Sequence, residues 1–245
     1  MKKLSSVLII LFVATALFAA GSVRVGASYE VVAGRTQDLK IGETTLSNTK
    51  VSYKGSGLGF DIGGRYVVKG DFAVWADFSM SFLSDLKHKE GSGSWTSTKD
   101  KYKDYNDFAK NHNGSASKAI NTISFAVGSA VNLTVDAPFE VYTGAGIFFE
   151  RVLAKASMTL PTSSPEPGVT SITLKAVNLG IVGYADAAYK FSEKFGINVT
   201  VMPRIGVYNS TQKSYSVRSA VSNYKTSGFG VSISLPIVIG ASYSF

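Results

Sequence analysis

In the segment 229–245, every second residue from Phe229 to Phe245 is apolar. Small or polar residues such as Gly230, Ser232 and Ser234 lie between them. Successive side chains of a β-strand point to opposite faces, so this pattern predicts a long strand with one apolar face. The same alternation occurs at 72–82 and 123–133. The chain is therefore expected to fold into a sheet whose strands each have an apolar and a polar face.

Eight segments of this kind follow one another along the chain, and their connections alternate between short and long. The strands are predicted at 23–35, 56–68, 72–83, 121–134, 139–153, 173–191, 196–208 and 228–245. The short connections are 69–71, 136–138 and 192–194, and the long, polar ones are 36–55, 84–120, 154–172 and 209–227. This alternation predicts an antiparallel up-and-down meander with two different ends, the layout of outer-membrane barrels with short periplasmic turns and long extracellular loops.

Alternation alone leaves two orientations open, because a soluble barrel would turn its apolar face inward around a ligand. The polar face here is rich in Gly, Ala and Ser and carries charges of both signs, which suits the narrow interior of an eight-stranded barrel. Aromatic residues such as Tyr66, Phe72, Phe139 and Tyr189 gather at the tight-turn end, as in an interfacial girdle. These features favour an all-β, eight-stranded antiparallel up-and-down transmembrane β-barrel.

Composition supports this class and excludes others. Charged residues make up 17% of the chain, below the roughly 25% of soluble domains. The chain has no cysteine and two histidines, which excludes a disulfide scaffold, a thiolate zinc site and a thiol nucleophile. We therefore expect no metal and no cofactor.

Residues 1–21 are predicted to form a cleaved signal peptide. Lys2 and Lys3 precede an apolar stretch at 4–18, and small residues at 19–21 offer a peptidase site. The alternative is a membrane anchor, but the unbroken apolar core at 7–20 is shorter than the roughly 20 residues that a helical span needs. The barrel is expected to occupy residues 22–245.

The chain ends with an alternating apolar run in which Tyr243 and Phe245 are aromatic. This end resembles the C-terminal assembly signal of outer-membrane proteins in diderm bacteria, and the chain as a whole resembles the small OmpX, OmpW and OmpA-type barrels. The resemblance implies the cell outer membrane, with lipids and the barrel-assembly machinery as partners. We expect a monomer with both termini in the periplasm and no nucleic-acid partner.

Ten charged residues fall on the predicted inner face. They either pair and close the lumen or line a narrow polar path. They are Arg24, Glu30, Asp61, Arg65, Asp77, Glu140, Glu150, Asp186, Lys190 and Arg204.

Two prolines interrupt the predicted seventh and eighth strands nearly opposite each other. Pro203 and Pro236 each lack the N–H that a ladder needs. They mark either a pair of bulges or, as the resemblance to OmpW suggests, a side opening between lumen and bilayer. The residues predicted to line such a route are Trp75, Tyr142, Phe148, Tyr184, Met202 and Tyr208.

The long connections are the remaining candidates for function. The segment 84–120 interleaves lysines with aromatic residues, and 209–227 carries the basic residues Lys213, Arg218 and Lys225 without an acid. Such loops bind anionic glycans, lipid headgroups or host matrix, or simply solvate the rim. His88 and His112 both lie in 84–120 without a catalytic spacing, so they are interpreted as solvated loop residues and no enzyme is expected.

The favoured function is a narrow channel or transporter for small or apolar solutes. An adhesin or binding protein that presents basic loops is the alternative, and a structural barrel or an outer-membrane enzyme comes third.

Overall fold

The computed structural model describes residues 21–36, 39–41, 44–46, 50–134, 138–161, 168–217, 220–228 and 230–245. The predicted signal peptide lies outside these residues except for Gly21, so it stays a prediction. The described part contains one helix, α1 (Thr98–Asn111). Its strands are β1 (Gly21–Thr36), β2 (Leu39–Ile41), β3 (Thr44–Leu46), β4 (Val51–Lys69), β5 (Phe72–Glu90), β6 (Thr96–Ser97), β7 (Ser115–Asn132), β8 (Phe139–Leu160), β9 (Gly168–Lys190), β10 (Phe195–Val201), β11 (Arg204–Val217), β12 (Ala220–Gly228) and β13 (Val231–Ser244).

The long strands close into an antiparallel ring. The order around the ring is β1, β4, β5, β7, β8 and β9, followed by β10 together with β11, and then β13. The ring closes where β1 pairs with β13, from Ser22 opposite Ser244 to Arg35 opposite Val231. Since β10 and β11 are two parts of one strand position, the ring has eight strands, and the predicted barrel is confirmed.

The apolar face of this ring points outward. Leu58 and Ile239 are 69% and 66% exposed, whereas Asp61 and Arg204 on the other face are 0% exposed. A soluble barrel would show the opposite arrangement, so that alternative is excluded. In a medium without water, ring closure gives the wall's backbone groups partners within the protein.

Aromatic rings contact one another at the tight-turn end. The ring centroids of Phe139 and Tyr189 lie 4.9 Å apart, and Tyr243 lies 5.1 Å from both Phe195 and Phe245. The Phe245 N–H also donates to the Gly21 carbonyl at 3.0 Å. The two predicted assembly-signal residues therefore complete the girdle where the first and last strands meet.

The opposite end is more ordered than the sequence indicated. Within 84–120, predicted as a loop, β5 continues to Glu90, β6 and α1 follow, and β7 begins at Ser115. The Ser97 Oγ caps α1 by accepting the Asp100 N–H at 3.0 Å, and Ala109 packs against Met158 and Leu160 of β8. The predicted loop at 209–227 is also wrong, because β11 and β12 form a paired extension of the wall. Among the described residues, no helix has the length and apolar character needed to cross a membrane.

We expect a charge on the outer face to be costly near the centre of the apolar band. Ile239 pairs with Ala27 and Val199 on that face. The variant Ile239→Lys should lower the free energy of unfolding in phospholipid vesicles by about 2–4 kcal/mol, as measured by urea titration. Ser84→Lys, at an exposed position beyond the band, is the matched control, and an equal loss in both variants would contradict the assignment of the lipid-facing surface.

Candidate functional site: the lumen and its wall

The lower lumen is centred on the buried guanidinium of Arg24. It contacts carboxylates from three other strands, lying 2.8 Å from Asp61 and 3.5 Å from Asp186 and also contacting Asp77. Gly63 leaves the space for this cluster, because a Cβ there would lie 2.7 Å from both the Arg24 Nη2 and an Asp77 oxygen. The Arg24 side chain, which comes from β1, thus links β4, β5 and β9 through ion pairs inside the barrel.

A second group of charges lies at the periplasmic mouth. Arg65 lies 2.7 Å from Asp186 and 3.0 Å from Glu140, and Lys190 lies 2.6 Å from the other Glu140 oxygen. The Arg65 guanidinium also stacks on the Tyr142 ring at 3.4 Å. The cavity at this mouth holds about 20 Å³, which is room for about one water molecule.

A third group, around Arg204, lies deeper in the barrel. Its guanidinium contacts Glu30 at 3.3 Å and Glu150 at 3.8 Å and donates to Ser124 at 2.8 Å. Asn178 donates to the Glu150 carboxylate at 2.6 Å. All ten charged residues predicted for the inner face therefore take part in ion pairs inside the barrel. Asp61 and Lys190 pair with a residue of the neighbouring strand, and Glu140 and Lys190 are partly exposed at the mouth. Their function as a plug stays a prediction.

Apolar side chains fill the space between these charges. Trp75 stacks on Tyr184 with 4.5 Å between ring centroids, and Tyr142, Phe148 and Met202 belong to the same buried cluster. Tyr208, predicted to line the lumen with them, faces outward instead. A bulge between Gly206 and Tyr208 adds a residue to β11 and leaves both Val207 and Tyr208 exposed.

The wall is irregular at the two prolines. β10 ends at Val201 and β11 begins at Arg204, so Met202 and Pro203 lie outside the regular strand. Pro203 is exposed on the outer face, while Met202 and Pro236 are buried inside. Two backbone hydrogen bonds hold the break closed, from Met202 N–H to the Pro236 carbonyl at 3.1 Å and from Gly183 N–H to the Pro203 carbonyl at 2.8 Å. We call this irregular stretch, Met202–Pro203 against Pro236 and Gly183, the seam.

The extracellular part of the lumen contains two residues that the sequence placed in solvated loops. Lys213 is buried in β11 and pairs with Glu90 at 2.9 Å, and His88 is buried in β5 with 1% exposure. Both expectations were wrong for the same reason, because the strands run further outward than their apolar faces do. Position 225 lies in β12, whereas the Lys225 side chain and Arg218 lie outside the described residues.

The environment of His88 disfavours its protonated form. His88 lies six residues beyond Phe82, the last lipid-facing aromatic residue of β5, and so lies outside the membrane-spanning part. Burial, reinforced by the Lys213 ammonium and opposed by Glu90 and Asp85, lowers the pKa of His88 from 6.5 to about 4. The imidazole is therefore neutral at pH 7.

Several uncharged polar residues of the lumen were missed by the sequence analysis. The Tyr53 hydroxyl donates to Asn178 at 2.9 Å and accepts from Asn209 at 3.0 Å, and Thr211 donates to Asn209 at 2.8 Å. The sequence could have identified these residues, because the alternation of each strand places them on its inner face. No group of three or more potential metal ligands occurs in the described ranges.

Comparison with known proteins identifies the fold. The structure is similar to the outer membrane protein OprG from Pseudomonas aeruginosa, at 14% identity over 92% of this chain and 96% of that chain, with a TM-score of 0.55. A major outer membrane protein from Thermus thermophilus gives 15% identity over 89% and 99% of the two chains and a TM-score of 0.47. The outer membrane protease OmpT from Escherichia coli gives 12% identity over 91% and 97% and a TM-score of 0.45.

No family model matches the chain, and no curated protein matches it. The outward apolar face, the eight-stranded ring and the fold shared with OprG together define the class. The chain has the fold of a small outer-membrane β-barrel protein.

We expect Arg204 to be essential for lumen stability. The variant Arg204→Met leaves Glu30 and Glu150 without their cation, and breaking a buried pair in this way costs about 3–5 kcal/mol. Urea unfolding in vesicles measures the loss, and Lys175→Met, at an exposed position, is the control. Adding Glu30→Gln and Glu150→Gln to Arg204→Met should recover most of the loss, and no recovery would contradict a charge-pairing role.

Acidification should destabilise the protein through His88. The unfolded chain binds a proton at His88 below about pH 6.5, whereas the folded protein does so only near its lowered pKa of about 4. Stability linked to this residue is therefore present at pH 7 and lost as the pH falls through that window. The temperature of the heat-dependent gel shift should fall more between pH 7 and pH 4.5 in the wild type than in His88→Leu. Parallel curves for the two proteins would refute the prediction.

Proposed function

We propose that this barrel transfers small apolar solutes from the cell surface into the membrane through the seam in its wall. The observation that carries this proposal is the break between β10 and β11, where regular strand pairing stops at Met202 and Pro203. Neither proline has an N–H that could donate a ladder hydrogen bond. The wall is therefore held at this point by fewer backbone contacts than elsewhere.

The contents of the lumen favour an exit through the side over a water-filled passage. The Arg24 and Arg204 groups span the lumen from several strands, and displacing them would leave buried charges unpaired. An eight-stranded barrel has an interior only wide enough for side chains. A solute that travelled the whole length of the lumen would have to break both groups.

The chemistry beside the seam suits an apolar solute. Met202 is fully buried and belongs to the cluster that includes Phe148, Tyr184 and Val238, and Pro203 on the other side faces the lipid. A single layer of the wall therefore separates an apolar part of the lumen from the bilayer. The hydrogen bonds at Met202 and Gly183 describe the closed state, and opening requires that they break.

Reversible disulfide staples across the seam test the proposal. The chain has no cysteine of its own. Val201 is paired with Ile237 below the seam and Ile205 with Ile233 above it, so Val201→Cys/Ile237→Cys and Ile205→Cys/Ile233→Cys introduce two cross-links. We expect the doubly stapled protein to lose uptake of pyrene, measured by fluorescence in cells that lack their own apolar-solute barrel, and to regain it after reduction.

The matched control is a staple in a regular part of the wall. Val127 is paired directly with Ile147 on the same outward face, and Val127→Cys/Ile147→Cys should leave uptake unchanged. Equal surface amounts and a heat-dependent gel shift show that each variant is folded. Uptake that persists through the stapled seam would overturn the proposal. Steady single-channel current from the wild type in a planar bilayer would instead favour conduction along the lumen.

A second candidate function is the binding of anionic glycans or host matrix at the outer surface. The observation that favours it is a cluster in which Lys54 and Lys89 lie 4.7 and 5.1 Å from the ring centre of exposed Trp95. Lys213 does not contribute, because it is buried against Glu90. Binding of this kind would weaken steeply with added salt and would be unaffected by the staples. Neither candidate includes a catalytic step.

A further inference from the structure

A groove runs along the outside of the barrel wall, below the start of α1. It lies over β1, β4 and β5 at their extracellular ends and has a volume of about 810 Å³. The groove has an apolar lower part, nearer the membrane, and a basic upper part, nearer α1. Tyr29, Val31 and Ala33 belong to the lower part, and Lys54, Lys87 and Lys99 to the upper part.

The lower part is continuous with the lipid-facing surface. Tyr29 and Val31 are 45% and 44% exposed, and strand pairing places Tyr29 beside Leu58 and Leu58 beside Phe82. The side chains that point outward here are those of Tyr29, Val31, Leu58 and Phe82. A hydrocarbon chain in the outer leaflet therefore reaches the groove without leaving an apolar surface.

The upper part places two positive charges directly opposite each other. Lys54 of β4 and Lys87 of β5 are strand partners, and both are exposed on the same face. Like charges in directly opposite positions of an antiparallel pair destabilise it. An anion bound between the two ammonium groups would remove this cost.

The groove contains two acids, Asp85 and Asp100, and neither forms an ion pair with these lysines. Asp85 accepts the backbone N–H of Lys99 at 3.0 Å, and Asp100 lies in the first turn of α1. Glu90, which lies outside the groove, pairs inward with Lys213. Within the described ranges, no carboxylate lies within 4.0 Å of the ammonium groups of Lys54 or Lys87. Lys89, two residue pairs further out and beside Trp95, adds to the positive field.

We propose that this groove binds the phosphorylated headgroup of an outer-leaflet lipid. Lys54 and Lys87 contact the phosphate, Trp95 covers it from above, and an acyl chain lies along Tyr29 and Val31. The apolar lower part distinguishes this ligand from a soluble anion, because a free phosphate would leave that surface unused. The site is on the outer wall and is independent of transport through the seam.

Native mass spectrometry of the micellar wild-type protein tests the proposal. Titration with diphosphorylated lipid A gives the affinity for the lipid, and phosphatidylcholine and inorganic phosphate are the comparison ligands. We expect lipid A to bind more tightly than either. The double variant Lys54→Gln/Lys87→Gln should weaken lipid A binding by at least about tenfold, since each basic side chain contributes appreciably at an anionic lipid surface.

The matched control removes the same charge elsewhere. Lys155 of β8 and Lys175 of β9 are also exposed, and Lys155→Gln/Lys175→Gln should leave lipid A binding unchanged. An equal loss in both double variants would overturn the proposal by showing non-specific attraction. Displacement of lipid A by an equimolar amount of inorganic phosphate would overturn it in favour of a site for the free anion. Trp95→Ala, a single change at an exposed position, should also weaken binding, and the heat-dependent gel shift confirms that each variant is folded.

Discussion

The wall of this protein depends on backbone hydrogen bonds that lipid cannot replace. Each strand must find partners on both sides, which forces the sheet to close and gives β1 and β13 a shared register over their lengths. The apolar residues then face outward and the polar ones are confined to a narrow interior. The lumen filled with paired charges follows from this constraint, whereas the local break at Met202 and Pro203 is an exception to it.

The confined interior explains why arginine has such a large part in it. Arg24 and Arg204 each reach carboxylates on several strands, because a planar guanidinium offers five donors in fixed directions. A shorter or uncharged side chain would leave some of these acids unpaired in a region with little water. The same groups that stabilise the ring also occupy its interior, which is why the route that we propose runs through the wall rather than along the axis.

The period-two pattern was enough to predict the ring and the inward charges, because burial on one face leaves a strong signal in each strand. The pattern did not predict the strand ends correctly where the strands continue beyond the lipid. Beyond Phe82, β5 no longer needs an apolar outer face, so His88 resembled a loop residue although it is buried. Helix α1 was missed because only a few side chains, such as Ala109, pack against the barrel. Tyr208 was misplaced because a bulge shifts the alternation by one residue, and a bulge leaves no reliable mark in the sequence.

The boundary at which the apolar face ends is also where the outer surface changes its chemistry. Along β4 the outward side chains pass from Leu58 through Ser56 to Lys54 within three alternate positions. In a purely solvated rim, Lys54 opposite Lys87 carries an electrostatic repulsion that pairing with a neutral or acidic residue would avoid. An anionic layer at that height turns the repulsive pair into a favourable one. Under the proposed binding of a lipid headgroup, the position of the two lysines is explained by the membrane that surrounds the barrel, in the same way that its apolar band is.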